Sequence, residues 1–301
     1  MSIFEEADRA LLPGFERRFV ETDDGAMLTL GAGDGPPLLM IHGDPQTHLC
    51  WHHVVSDLAK RFRVILTDLR GRGESHKPDE RAGVEAYSKR VMAAEQLAVM
   101  KALGHESFML VGHDRGARVA RRLALDHPEA VSRLVVMDII PALDLYENLT
   151  AEIAQDYFYF SFLTQDHPVP ERLIAGDAEG FTSLILNGLS DQVVDYDPQA
   201  LEAYLASGSA PDAVHAMCQC FRAGFHIDRH HDQADRHAGR KIACPALVMW
   251  GAQGVVGRHF DVETIWNGWC DDATYQPMPS GHFIPEEAPL ETRDALNAFL
   301  R

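Results

Sequence analysis

Short, continuous apolar runs alternate with helix-like stretches along the first half of the chain, and this rhythm limits the possible folds more than any other feature. Leu38–Ile41, Arg63–Thr67, Phe108–Val111 and Leu134–Met137 read as strands apolar on both faces. Between them, Trp51–Lys60, the set Tyr87, Val91, Ala94, Leu97 and Ala98, and Arg115–Leu125 repeat at helical spacing, with Gly104 placed where a helix ends. Strands separated by helices imply a parallel sheet with right-handed crossovers. Phe15–Thr22 and Met27–Leu30 are expected to open the sheet as an antiparallel pair. From about Pro141 to about Ala238 no strand run occurs. Aromatic-rich helical stretches, Ile153–Leu163 and Pro211–Phe225, take its place. The rhythm resumes at Ala246–Trp250 and Ala273–Pro277 and closes with a helix over Leu290–Leu300. The expected organisation is a core of residues 1–140 and 239–301, with residues 141–238 as an inserted helical cap. The stretch His226–Asp232 reads as a solvated linker back to the sheet rather than a metal site.

Composition excludes several partners. The 301 residues carry 45 Asp+Glu against 27 Lys+Arg, a formal charge of −18. No basic stripe is left to displace counterions from nucleic acid, and an anionic membrane surface would repel the chain. The opening residues Met1–Glu6 lack a basic region and an apolar core, so no signal peptide is expected, and no apolar run is long enough to span a bilayer. Five scattered cysteines (Cys50, Cys218, Cys220, Cys244, Cys270) read as reduced thiols of a cytoplasmic protein. Cys218 and Cys220 form the one close pair, and no second pair completes a zinc site.

The chemistry sits in Gly112-His113-Asp114-Arg115-Gly116, which follows a predicted strand and opens a predicted helix. That is the setting of a G-x-nucleophile-x-G elbow, a turn so tight that its central side chain projects alone above the sheet edge. Here that side chain is Asp114; the same string also fits an aspartate capping a helix. A carboxylate is ionised at neutral pH and needs no base to activate it, so it suits displacement at saturated carbon through an ester that water must open. His282, in Pro279-Ser-Gly-His-Phe after the last predicted strand, is placed to activate that water. The loop after Trp250 carries no acid, which leaves Asp138, at the end of Leu134–Met137, to orient His282. The backbone N–H groups of Asp44, in His42-Gly-Asp-Pro, and of Arg115 are the expected oxyanion hole.

With H-G-D-P-Q (42–46), D-L-R-G-R-G-E-S (68–75), G-H-D-R-G-A-R (112–118), L-D-H-P (125–128) and G-H-F (281–283), the chain resembles the α/β-hydrolase superfamily throughout. Within it, H-D-R-G-A-R, M-D-I-I-P (137–141), F-R-A-G (221–224) and C-P-A-L-V (244–248) resemble the fluoroacetate (haloacetate) dehalogenase family. The resemblance implies an α/β-hydrolase fold, a mostly parallel sheet flanked by helices with an inserted helical cap, and a homodimer. It also implies that Arg115 and Arg118 grip the carboxylate of a short 2-haloacid. The family's halide-binding His-Trp pair and Tyr fall, by position, on Tyr159, Phe160 and Phe221, so that Tyr159 alone keeps a donor. Chloro- and bromoacids are therefore expected to outpace fluoroacids. Tyr159 and Phe160 also fit a cap core, and Arg118 also fits a surface helix position. Asp44 stands where an aromatic is usual, and its carboxylate would repel an anionic substrate unless turned away.

The leading expectation is a hydrolytic 2-haloacid dehalogenase, needing neither cofactor nor metal. An epoxide hydrolase with the same Asp-His-Asp set is the alternative, kept open by Tyr159 and opposed by the two arginines. A small-molecule receptor on a hydrolase scaffold is the non-enzymatic reading.

Overall fold

A computed structural model describes residues 2–190 and 194–301. Eight strands form one sheet: β1 (Glu16–Thr22), β2 (Gly25–Ala32), β3 (Pro37–Ile41), β4 (Arg63–Thr67), β5 (Phe108–His113), β6 (Val131–Met137), β7 (Ala246–Gly251) and β8 (Ala273–Met278). Their order is β1-β2-β4-β3-β5-β6-β7-β8. The first two ladders are antiparallel, and every pairing from β4 to β8 is parallel. Every residue of β5 is buried, as expected of a central strand covered by helices on both faces. The result is an α/β-hydrolase fold.

The chain moves outward in one direction from β3 to β4 and in the other from β5 to β8. The crevice between β3 and β5 is thus a topological switch point, where ligands of open α/β sheets bind at the C-terminal strand ends. The loops at that edge carry Asp44 after β3, Asp114 after β5, Asp138 after β6 and His282 after β8.

Between β6 and β7 the described residues add helices but no strand to the sheet, apart from a single bridge from Ile242 to Cys270. The helices include Ala151–Asp156, Phe158–Phe162, Ala178–Gly188, Pro198–Ser209 and Pro211–Ala223. The expected linker at 226–232 is not a linker. Pro211–Ala223 runs into a π-helical turn, Gly224–Asp228, and then the helix Arg229–His237. Asp232 bonds to Arg121 (2.7 Å) and Arg122 (3.0 Å), and Asp235 to Arg122 (2.6 Å), all on the helix Arg115–Asp126. Asp228 holds Lys89 at 3.0 Å. The polar residues that looked solvated are the ones that pin this segment to the sheet's helices. Tyr87 also lies outside the predicted helix, in a 3₁₀ turn, because Ser88 caps the helix Lys89–Ala102 through the Val91 N–H. Among the described residues no helix is long and apolar enough to cross a membrane.

Candidate active site

Asp114 occupies the turn between β5 and Arg115–Asp126 with φ 47° and ψ −117°, outside the regions that L-residues favour. Such strain persists where surrounding structure over-determines it. Here packing does so: a Cβ on Gly116 would lie 2.2 Å from the Ile41 carbonyl oxygen, so β3 and the helix start meet only through glycine. Gly43 is equally constrained, since its Cβ would lie 2.4 Å from that of Asp114.

The Asp44 N–H donates to Asp114 Oδ1 at 2.9 Å. Asp114 Oδ2 lies 3.6 Å from His282 Nε2. His282 Nδ1 meets Asp138 Oδ2 at 2.5 Å, and the Gly251 N–H donates to Asp138 Oδ1 at 2.9 Å. Asp138 is the other non-glycine residue at positive φ (52°) among the described residues. The three predicted residues are thus brought together in one buried chain, Asp138–His282–Asp114. The imidazole is held with its Nδ1–H donating to Asp138 and its Nε2 toward Asp114.

Electrostatics follow from this packing. Burial disfavours the ionised Asp114, but His282 and then Arg115 outweigh it, and its pKa is lowered. Burial also disfavours a charged His282. The hydrogen bond to Asp138 and the charges of Asp138, Asp114 and Glu287 overcome this, and its pKa is raised. Attaching a substrate to Asp114 would remove one of those charges and shift the ring toward the neutral form that accepts a proton.

Three groups that hold His282 in place were not anticipated. The His113 Nε2–H donates to the His282 carbonyl at 2.8 Å, and burial pushes His113 down to about 3, so that ring stays neutral. Glu287 accepts from the Gly281 and Phe283 N–H groups, each at 2.8 Å. The His282 N–H itself donates to the Leu189 carbonyl at 3.0 Å, tying the loop to the helical segment above it. The Glu287 contacts are local, and a carboxylate five residues after His282 was the available signal. The other two cross the fold and leave none.

Two small spaces meet at Asp114, and both are also lined by Arg115 and Phe221. One, about 40 Å³, extends past Arg118, Phe160 and Tyr146. The other, about 20 Å³, is walled by Tyr159, Leu163, Ile185, Leu189, Met217 and His282. About 10–15 Å³ of such space admits one water, so the site suits a substrate of few atoms. Tyr159, Phe160 and Phe221 do face the nucleophile as one aromatic cluster. Tyr159 and Phe160 each meet Phe221 nearly edge-on, at 5.8 and 5.0 Å between centroids. Burial raises the Tyr159 pKa well above its usual value, so its hydroxyl stays protonated.

The arginines are not equivalent. Arg115 Nε lies 2.8 Å from Asp44 Oδ2. The Asp44 carboxylate has turned from the nucleophile toward Arg115 and Arg72, which resolves the repulsion expected of it. Arg118 is not a surface residue. Its Nη1–H donates to the Ile140 carbonyl (2.9 Å), and its guanidinium lies 5.7 Å over the Phe160 ring. Cys218 and Cys220 are buried in the helix Pro211–Ala223 and belong to no cluster of possible metal ligands among the described residues.

Comparison with known proteins agrees with this geometry. A family model described as alpha/beta hydrolase fold matches residues 36–289. A fluoroacetate dehalogenase from Burkholderia sp. is 38% identical over 96% of this chain and 95% of its own. A soluble epoxide hydrolase from Corynebacterium sp. (strain C12) is 29% identical over 86% of this chain and 87% of its own. The crystal structure of ALR0039, a putative alpha/beta hydrolase from Nostoc sp PCC 7120, superposes with a TM-score of 0.93 at 43% identity, covering 96% of this chain and 99% of that one. With an Asp-His-Asp set at the strand ends of this sheet, the chain belongs to the alpha/beta hydrolase family and is a hydrolase with dehalogenase and epoxide hydrolase relatives.

Proposed function

We propose that the protein is a hydrolytic dehalogenase of short 2-haloacids, acting through an ester on Asp114, with the helical segment of residues 141–238 as a cap that closes the site. One observation carries the reading. The Asp114 carboxylate stands alone on its turn, with Oδ1 anchored by the Asp44 N–H and Oδ2 turned toward an imidazole oriented by Asp138.

Oδ2 attacks the halogenated carbon in line; the C–O bond forms as the carbon–halogen bond breaks and halide departs. Oδ1 becomes the carbonyl oxygen of the ester, still held by the Asp44 N–H, with the Arg115 N–H as the second donor to the oxyanion. His282 takes a proton from water, which adds to the Asp114 carboxyl carbon. The Cγ–Oδ2 bond then breaks, His282 returns the proton to that oxygen, and the hydroxyacid leaves with it. Arg118 draws the substrate carboxylate, while Tyr159 donates to the departing halide. The sequence of steps closes without a cofactor.

Epoxide hydrolysis is the second reading, favoured by the Tyr159 hydroxyl on the cap wall. Its raised pKa makes it a reluctant proton donor to an opening epoxide, whereas halide departure needs no proton. Ion chromatography of chloride, bromide and fluoride released from the three haloacetates, beside diol formation from styrene oxide, separates the two. In H₂¹⁸O, one turnover should place the label in the Asp114 peptide, and in His282→Asn the intact mass should rise by the carboxymethyl group trapped as an ester. No halide from any haloacetate would end the first reading. We further propose a cytoplasmic homodimer; five unpaired thiols fit a reducing compartment, and sedimentation velocity tests the assembly.

A further inference from the structure

We propose that the Asp44 carboxylate is a built-in counter-ion for Arg115, so that Arg118 alone meets substrate charge and the site selects small monoanions over dianions. The inference rests on the haloacid reading and deepens it by naming which cation binds the acid and which residue sets that choice.

Five cationic side chains line the larger space beside Asp114: Lys89, Arg115, Arg118, Arg121 and Arg122. Four of them already have carboxylates. Lys89 has Asp228 (3.0 Å), Arg121 has Asp232 (2.7 Å), Arg122 has Asp232 and Asp235 (3.0 and 2.6 Å), and Arg115 has Asp44 (2.8 Å). Arg118 makes no ion pair with any described residue. Its partners are a backbone carbonyl and the face of Phe160, which leaves guanidinium N–H groups for a ligand.

Arg115 is fixed on two sides. Its Nε faces Asp44 Oδ2, and its guanidinium lies 4.4 Å over the Phe221 ring. A substrate carboxylate approaching it would meet Asp44 behind the same cation, so repulsion from Asp44 offsets part of the attraction. The other Asp44 oxygen is taken by Arg72 Nε at 2.5 Å, which stops the carboxylate from swinging back toward the nucleophile. Arg72 has no other carboxylate among the described residues, so the three groups together keep one positive charge, on the side of Asp44 away from the nucleophile. Arg72 lines neither space at Asp114, and its Nη1–H donates to the Ala213 carbonyl. Burial disfavours an ionised Asp44, but Arg115 and Arg72 hold its pKa well below the usual range, so the counter-ion is charged at neutral pH.

The test compares chloroacetate, uncharged chloroacetamide and the dianion chlorosuccinate, by chloride release, in wild type, Arg118→Gln, Arg115→Gln, Asp44→Asn and the double variant Asp44→Asn/Arg115→Gln. A charge-assisted bond of about 1.5–3 kcal/mol corresponds to roughly 10–150-fold. Arg118→Gln should lower kcat/KM for chloroacetate by about that factor and leave chloroacetamide within about threefold. Arg115→Gln should cost chloroacetate much less, because Asp44 already lies against that guanidinium. Asp44→Asn should raise the chloroacetate-to-chloroacetamide ratio about tenfold and admit chlorosuccinate, and the double variant should return both to the wild-type pattern. Equal losses in Arg115→Gln and Arg118→Gln, with an unchanged ratio in Asp44→Asn, would overturn the proposal. Calorimetric binding of acetate needs no chemistry and no Asp44 variant. Affinity lost in Arg118→Gln and kept in Arg115→Gln supports the counter-ion; the reverse refutes it. A wild type that binds acetate in this way but releases no chloride from any substrate counts against dehalogenation alone.

Discussion

The two walls of the cleft are built by different means. On the sheet wall, Asp114, Asp138 and His282 each ride on a loop that leaves a parallel strand, and two of them sit at positive φ. Their positions are set by backbone geometry and by hydrogen bonds to neighbouring loops. On the cap wall, Tyr159, Phe160 and Phe221 are placed by ring packing, and the segment that carries them is held down by buried charge pairs. In the proposed mechanism the sheet wall holds the nucleophile, the base and the donors to the oxyanion, and the cap wall's rings border the space into which the leaving group would go.

Breaking the sheet wall should have the largest effect. Asp114→Asn should cut halide release by about 10⁴-fold or more while leaving the thermal melt nearly in place. A comparable rate in that variant would mean that another group carries the chemistry. Breaking the cap wall's anchorage should act through stability instead. Asp232→Ala strips Arg121 and Arg122 of a shared buried carboxylate, and losing one partner of such a pair costs about 3–5 kcal/mol. Calorimetry should show a clearly lower Tm, and an unchanged melt would refute the clamp.

A smaller effect is expected from changing the cap wall's chemistry. Phe221→Tyr adds a hydroxyl beside Tyr159, and one hydrogen bond to a developing anion corresponds to about 1.5–3 kcal/mol. The rate of fluoride release relative to chloride should rise by roughly tenfold, read from the two haloacetates side by side. A ratio that does not move would place the leaving group elsewhere.

The smallest expected effect lies in titration. His282 has a folded-state pKa raised above its unfolded value, so its contribution to stability is complete below about pH 6.5 and fades as pH rises through the folded value. Removing the Asp114 charge removes one cause of that rise. In Asp114→Asn the imidazole should therefore titrate at a lower pH, measured by NMR of the ring protons, and the fading should be complete at a lower pH. An imidazole that titrates at the same pH in both proteins would show that Asp138 alone sets it.

The sheet wall was legible because its signals are local. A glycine-flanked residue between a strand and a helix specifies an elbow whatever surrounds it, and Asp138 and His282 were found from their positions just past apolar runs. The cap wall was legible in part. Its aromatic residues could be named by resemblance, but the polar stretch His226–Asp232 looked solvated. The charges that Asp228 and Asp232 neutralise, Lys89, Arg121 and Arg122, lie more than a hundred positions away.

By itself, the order of residues determined the fold type and singled out Asp114, His282 and Asp138, which the fold brings together, since short-range sterics and periodicity act between neighbours in the chain. Only the tertiary structure decided which cations are free. Whether Arg115 or Arg118 can meet a ligand depends on Asp44 lying beside one guanidinium and not the other, and electrostatic pairing is a matter of distance in space, which no spacing along the chain encodes.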